Sequence, residues 1–218
     1  MARLKILSAD EFDNLYTLPK LEKQDRDFLF ELDEADHSYL NSLVDLSSKI
    51  DYILQVEYFR LSQYFFSFTL RGVRQDVWHI IETYYPGSKF PMKSPSKHFI
   101  YQNRQAILQK YGMFSYENNF RKKLEQHAKN LAKQHVVPKY IFDSILDFCH
   151  QNKVVRPGYS VLQEIVSQAL ENEKNRLSNK LYLLMDKSLR VEIQKLLEKN
   201  DDYYQLTIIK KRSKRFCY

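Results

Sequence analysis

Residues 97–111 place side chains that can read the edges of DNA bases on one face of a helix. At about 100° per residue, His98, Gln102, Gln105 and Gln109 lie opposite the apolar positions of this segment. A Gln side chain can donate to and accept from adenine at once, while neighbouring Lys and Arg side chains hold phosphates. The pattern indicates a base-reading face, with His98, Gln102 and Gln105 as the reading residues. The alternative is an ordinary solvated helix face that is rich in Gln.

A second helix, predicted over 117–134, carries lysines that could hold phosphates. Lys129 and Lys133 each fall within about 20° of Lys122 around the helix at the helical period. Like charges at this spacing repel by a few tenths of a kcal/mol per pair, and a bound polyanion would relieve that repulsion. A solvated lysine face fits the same spacing.

The segment KVVRPGYS at 153–160 is a third candidate contact. It joins two predicted helices, and Lys153 and Arg156 precede a helix N-terminus, whose free N–H groups suit a phosphate. The two helices and their connector could form a helix-turn-helix, although the connector is long for a compact one. The full set of expected phosphate contacts is Lys89, Lys93, Lys97, Arg104, Lys122, Lys129, Lys133, Lys153 and Arg156.

Enzyme chemistry finds little support in the residue pattern. The pairs Arg74/His79 and Arg121/His127 resemble the Arg-to-His spacing of helical HEPN-type ribonucleases, but two such pairs are near chance among 34 basic residues and six His. The sequence contains no glycine-rich phosphate loop, paired His-x-x-x-His or serine-nucleophile elbow. Two Cys cannot make a disulfide framework or a four-thiolate zinc site, and we expect neither a metal nor a cofactor.

Charge is distributed unevenly along the 218 residues, whose net charge is +7. Residues 1–70 carry 7 Lys/Arg and 13 Asp/Glu, whereas residues 71–218 carry 27 and 14. A basic run closes the chain at 210–215. A basic body behind an acidic front points to a polyanion partner, with a solvated surface and a charged tail as the alternative.

The elements that position these residues are predicted to be helical. Apolar residues recur at three- and four-residue spacing in nearly every long segment, and four Gly and six Pro are too few for a turn-rich sandwich or barrel. We predict an all-α multi-helix bundle of two tandem helix-turn-helix-like units, each of three or four helices, at 1–114 and 115–218. One composite domain fits the same pattern. Without an apolar run near ~18 residues or a signal peptide, a cytoplasmic protein without membrane contact is expected.

Capping residues predict where several helices begin and end. A Ser followed three residues later by Glu or Gln is a capping box; Asp or Ser at an N-cap, Pro in a first turn and Gly after a C-terminus give the same kind of signal. The signals are Ser8 with Glu11, Asp33, Ser96, Gly112, Pro138, and Ser160 with Gln163. The helix after Asp33 is expected to bury Leu40, Leu43 and Val44.

Several motifs together resemble the N-terminal region of the large transposases of the Tn-three family of replicative bacterial transposons. The opening MARLKILS (1–8), followed by EF and LY (11–16), is similar to the start of those proteins. The segment RQAILQKYG (104–112) looks like their element that ends in an aliphatic residue, a Tyr or Leu, and Gly. The run at 153–163 resembles their basic–aliphatic–Pro–Ser–Leu–Glu element, and 206–218 a segment inside the full-length protein.

This resemblance implies the part of such a transposase that binds the terminal inverted repeats of the transposon. The catalytic carboxylates that hold magnesium for strand transfer lie in a later domain of those proteins, so the resemblance implies no enzyme activity for this chain. Relatives usually carry Arg and His where this chain has Ile100 and Asn103, and commonly Glu where it has Gln163. These departures concern the individual base contacts.

The sequence therefore predicts a DNA-binding module that recognises transposon ends. Its expected partners are double-stranded DNA and the remainder of the transposase, with a homodimer as an option in the full-length context, at the bacterial nucleoid. One alternative is a helical interaction or dimerisation module that uses the acidic residues 1–70 and the aromatic patch at 64–68. The other is a small ribonuclease built on the Arg/His pairs.

Overall fold

The computed structural model describes residues 4–197, 199–200 and 203–204, and the chain folds there as an all-α multi-helix bundle, which confirms the predicted fold class. The helices are α1 (Ala9–Tyr16), α2 (Lys23–Leu29), α3 (Glu34–Ser42), α4 (Leu46–Ser62), α5 (Arg74–Tyr84), α6 (Lys97–Tyr111), α7 (Asn118–Ala132), α8 (Pro138–Gln151), α9 (Tyr159–Leu184) and α10 (Lys187–Leu197). Two short strands, β1 (Lys199–Asn200) and β2 (Tyr203–Tyr204), pair antiparallel. The basic run at 210–215 and the segment 206–218 lie outside the described residues.

Most of the predicted caps are confirmed. At α1 the Ser8 hydroxyl accepts from the Glu11 N–H at 3.2 Å, and the Ser8 N–H donates to the Glu11 carboxylate at 2.8 Å, so the capping box is confirmed. Asp33 caps α3 and Ser96 caps α6 through their side chains. Gly112 ends α6 with φ at +60°, a left-handed conformation that a glycine adopts without steric cost.

Two local predictions are wrong, and one helix was not predicted. Helix α9 already begins at Tyr159, so Ser160 lies inside the helix, and the Gln163 amide donates instead to the Leu4 carbonyl at 2.6 Å. Helix α2 was not predicted, because its seven residues carry little apolar periodicity. Val44 is 99% exposed rather than buried, because α3 ends before it.

The core that supports the candidate interface is built around α4. Ile50, Ile53 and Leu54 are fully buried, and most residues of this helix are buried on every side. A helix that is apolar on one narrow stripe would lie at the surface, whereas one covered all round forms the centre of a domain. Helices α5 and α6 pack on α4, so it is the platform that holds α6.

A second apolar cluster joins α7, α8 and the first turns of α9. Leu124, Ile141, Ile145 and Leu162 are fully buried there. Apolar side chains that lose all contact with water stabilise a fold by about 1.5–3 kcal/mol each. This cluster fixes α7, the helix with the lysine face.

The N-terminal segment packs against these later helices. The N–H of Ile6 donates to the Tyr159 hydroxyl at 3.1 Å, and the Lys139 ammonium lies 3.3 Å from the Glu11 carboxylate. The ring of Phe12 meets that of Tyr159 edge-on, with centroids 5.4 Å apart. Residues at the start of the chain therefore belong to the same body as α8 and α9.

Contacts divide the chain into a first compact unit that ends at Ala169 and a second that begins at Leu170. The first unit continues through residue 114, where the sequence analysis placed a boundary, because α1 packs on α8 and α9. In the second unit, the Arg190 guanidinium lies 3.8 Å over the ring of Tyr182. Within the described ranges, no helix combines the length and apolar character needed to cross a bilayer.

Candidate nucleic-acid interface

Helix α6 is held on α4 by a buried polar contact. Asn103 is fully buried, and its amide donates to the Ser48 carbonyl at 3.0 Å and to the Asp51 carboxylate at 2.9 Å. Its carbonyl oxygen accepts from the Tyr39 hydroxyl at 3.1 Å. Because these bonds fix the rotation of α6, they also fix which face of the helix points to solvent.

The outward face of α6 is the one that the sequence indicated. Lys97, His98, Gln102 and Gln109 are all exposed. None of these four side chains forms a hydrogen bond or ion pair with another residue in the part of the chain that the structure describes. Their polar groups are available to a ligand.

A groove of about 540 Å³ runs beside this face. Its α6 wall consists of polar Gln102, Gln105 and Gln109 together with apolar and aromatic Phe99, Tyr101 and Ala106. The opposite wall is the corner between α3 and α4, including Leu43 and Val44. Tyr101 is 62% exposed, so this groove has an uncovered aromatic edge.

Gln105 lies where this groove meets a second one of about 340 Å³. Its amide donates to the Ser115 hydroxyl at 3.3 Å, so it is less free than Gln102 and Gln109. The second groove is also lined by Asn119 and Lys123 of α7. Sequence reasoning missed Lys123, because it lies about 100° from Lys122 around the helix and so outside the predicted lysine face.

Arg104 faces inward, contrary to its predicted role in holding phosphate. Its guanidinium donates to the Phe66 carbonyl at 3.2 Å and lies 5.1 Å from the centroid of the Phe65 ring. Burial lowers the pKa of this guanidinium. We therefore remove Arg104 from the set of phosphate contacts.

Arg156 is engaged inside the protein in the same way. Its guanidinium donates to the Leu15 carbonyl at 2.6 Å and lies 5.5 Å from the Tyr16 ring centroid and 5.2 Å from that of Tyr64. Burial lowers its pKa as well. Arg156 thus joins the N-terminal segment to the connector before α9, and we remove it from the phosphate contacts too.

The α7 lysines, which are Lys122 and Lys129 of the helix and Lys133 at its C-cap, form an unpaired cationic face. Lys122, Lys129 and Lys133 are exposed, and among the described residues none of them lies within ion-pair distance of a carboxylate. Arg121 on the same helix differs, because its guanidinium contacts Glu125 at 2.8 Å and Glu164 at 3.0 Å.

The remaining predicted cations are also exposed. Lys89 and Lys93 lie in the irregular segment between α5 and α6, and neither has an ion-pair partner within the described ranges. Lys153 follows α8 with φ at +53°. Its carbonyl accepts from the Phe114 N–H at 2.8 Å, so the connector is tied to the end of α6.

The ribonuclease alternative gains no support from the geometry. The Arg121 guanidinium is occupied by two glutamates, and the His127 ring stacks on Phe148 with centroids 4.5 Å apart. His79 lies 3.7 Å from the Asp27 carboxylate, while Arg74 is exposed. No hydrogen bond joins either Arg to its His in the structure as described.

The aromatic patch at 64–68 does not form the free surface that the interaction alternative requires. Phe66 is buried, Phe65 stacks on Phe59 at 4.6 Å, and Tyr64 lies under Arg156. Over the described ranges, His, Cys, Asp and Glu side chains form no group of three or more that could hold a metal ion.

A family model described as a domain of unknown function (DUF4158) matches residues 6–169. The chain belongs to the DUF4158 family. The DUF4158 region ends at Ala169, where the first compact unit also ends. It therefore contains both faces described above. No curated protein matches the chain.

Proposed function

We propose that this DUF4158 chain is a sequence-specific module that binds double-stranded DNA. The observation that carries the proposal is that some of its cationic side chains pair with carboxylates and others do not. Arg26, Lys110 and Arg121 pair with carboxylates, whereas Lys97 of α6 and the α7 lysines have no such partner in the described structure. Unpaired cations and a Gln-rich helix face are the two components that a phosphate-holding, base-reading surface requires.

We further propose that the DNA is the terminal inverted repeat of a transposon and that the chain belongs to a Tn-three family transposase whose catalytic carboxylates lie elsewhere. Two contacts support the resemblance on which this rests. The Gln163 amide donates to the Leu4 carbonyl, and the Arg156 guanidinium to the Leu15 carbonyl. Two of the motifs that carry the resemblance, about 140 residues apart, are therefore parts of one structural contact.

A second candidate function is protein interaction through the second unit. Leu177, Leu181 and Leu184 recur at helical spacing on α9 and are 44%, 58% and 82% exposed. Such a stripe is typical of a surface that packs against another helix. It could contact the remainder of a transposase or a second copy, and it is compatible with DNA binding by the first unit.

Binding of the whole chain to labelled duplexes at about 150 mM salt tests the proposal. One duplex carries the terminal inverted repeat of the element that encodes the chain, and the other carries a scrambled sequence of equal length. We expect a preference of ~100-fold, worth about 2.7 kcal/mol. Equal affinity for both would leave only a basic surface, and no binding to either would favour the interaction module.

Two variants separate the roles of the helices. Gln102→Ala on α6 should narrow the preference for the specific duplex, because it removes a base contact. Lys129→Gln on α7 should weaken binding to both duplexes equally, because it removes a phosphate contact. If Gln102→Ala weakened both equally, α6 would not be the reading helix.

A further inference from the structure

The cations of α6 that could pair with guanine do not face the groove. Arg104 donates to the Phe66 carbonyl, and the Lys110 ammonium lies 2.8 Å from the Asp33 carboxylate and 2.7 Å from that of Asp36. Arg and Lys are the side chains that most often read guanine, through its O6 and N7 acceptors. Beyond its first turn, the outward face of α6 therefore presents no cation to the bases.

What this face presents instead is a row of amides. Gln102, Gln105 and Gln109 line one groove, and the sequence of α6 contains no Asp or Glu that could accept from cytosine. An amide can donate to adenine N7 and accept from adenine N6 at the same time. The chemistry of the row therefore matches adenine better than any other base.

The spacing of the row fits successive base pairs. Gln102 and Gln109 are seven residues apart, which is about 10.5 Å along a helix axis. Base pairs in B-form DNA are about 3.4 Å apart, so the two amides are separated by about three base-pair steps. Gln105 lies between them and becomes available if it exchanges its bond to Ser115 for a base.

The groove beside the amides supplies the other half of an A·T contact. Phe99, Tyr101 and Ala106 give its α6 wall an apolar and aromatic character. Thymine is distinguished in the major groove by its C5 methyl group, which Ala and Phe side chains contact. Amides for adenine and an apolar wall for the thymine methyl therefore lie on the same helix.

We propose that α6 recognises A·T base pairs in the major groove, with Gln102 and Gln109 pairing with adenine and the adjoining wall receiving thymine methyl groups. This inference rests on the proposed DNA-binding function and names the base pairs that the same surface selects. Lys97 and the α7 lysines would hold the flanking phosphates and carry no sequence preference.

The first test is selection of duplexes from a random pool by the whole chain, followed by binding to analogues of the enriched site. Replacing adenine by 7-deazaadenine removes the N7 acceptor, and replacing thymine by uracil removes the methyl group, while both preserve base pairing. We expect an A·T-rich site of about four base pairs or more, with affinity lowered roughly 5- to 100-fold by 7-deazaadenine at a contacted position and less by uracil.

A charge-matched pair of variants sharpens the test. Gln102→Glu keeps the shape of the side chain but replaces the donor with a second acceptor, so preference at one base pair should move from A·T toward C·G. Gln134→Glu adds the same charge beside the lysine face, after the end of α7, and should weaken binding to every duplex alike without changing the enriched site.

The possible results separate recognition of A·T base pairs by α6 from the proposed DNA binding itself. A G·C-rich enriched site, or an A·T-rich site whose affinity is unchanged by both analogues, overturns amide readout while DNA binding stands. Binding without any enriched sequence also overturns it. A chain that binds no duplex at all overturns the proposed function and this inference together.

Discussion

Glu57 predicts an unusual dependence of stability on pH. Its side chain is only 2% exposed in the centre of the core, and this burial raises the pKa of its carboxyl from an ordinary 4.5 to about 8, against the attraction of the Arg60 guanidinium 2.6 Å away. Between these two values the folded protein holds a proton on Glu57 that the unfolded chain has released. The contribution of Glu57 to stability is therefore fully present below about pH 4.5 and is lost as pH rises through about 8.

The size of the loss follows from linkage. Where the folded state binds one proton more than the unfolded chain, each unit of rise in pH lowers the free energy of unfolding by about 1.4 kcal/mol. Between pH 5.5 and 7.5 the contribution of Glu57 should therefore fall by roughly 2–3 kcal/mol. Urea unfolding at a series of pH values, followed by circular dichroism, measures this change directly.

Glu57→Gln is the decisive variant, because it keeps the shape of the side chain and removes its titration. Its stability should lack the fall that the parent shows between pH 5.5 and 7.5, and Glu82→Gln on the exposed side of α5 should retain the parent's dependence. A parent that is equally stable at both pH values, or a Glu57→Gln variant that keeps the full slope, would refute the reasoning.

Three further predictions concern binding and the backbone. Lys153→Gly should raise the free energy of unfolding by up to ~1 kcal/mol, because φ is +53° there, yet it should weaken DNA binding. Its control is Gln63→Gly, at φ +51°, which should stabilise the fold similarly and leave DNA binding unchanged. If both variants lowered affinity alike, Lys153 would have no direct contact with DNA. Lys129→Gln should reduce the salt slope of log affinity by about one, measured by titration from roughly 50 to 200 mM salt. Arg156→Met should cost about 1.5–3 kcal/mol in urea unfolding while the folded variant binds DNA normally; a selective loss of affinity would return Arg156 to the interface.

Most of the helices could be predicted from local signals in the sequence. The capping box at Ser8 and Glu11 and the stop at Gly112 depend on residues within one helical turn, so the sequence shows them directly. The same signal at Ser160 fails because Gln163 finds a partner 159 residues away at Leu4. A cap competes with tertiary contacts that no local pattern reveals.

The exposed face of the candidate site could likewise be predicted from local sequence, but the contacts of its arginines could not. The face of α6 with Gln102 and Gln109 follows from the helical period alone. Arg104 and Arg156 could not be separated from the exposed lysines by sequence, because their acceptors are backbone carbonyls, which every residue has. Only the fold shows that these two guanidinium groups are inside.

The position of α1 against α8 and α9 has a consequence for the order in which the protein is made. An eight-residue helix with no buried residue of its own is not stable alone in water, and α1 contacts Lys139, Arg156 and Tyr159, which come far later in the chain. At a translation rate of 5–20 residues per second, these partners follow α1 out of the ribosome only after roughly 6 to 30 seconds. Although α1 precedes these partners in the chain, it docks only after they have emerged, and the first unit completes its folding only once the connector before α9 is available.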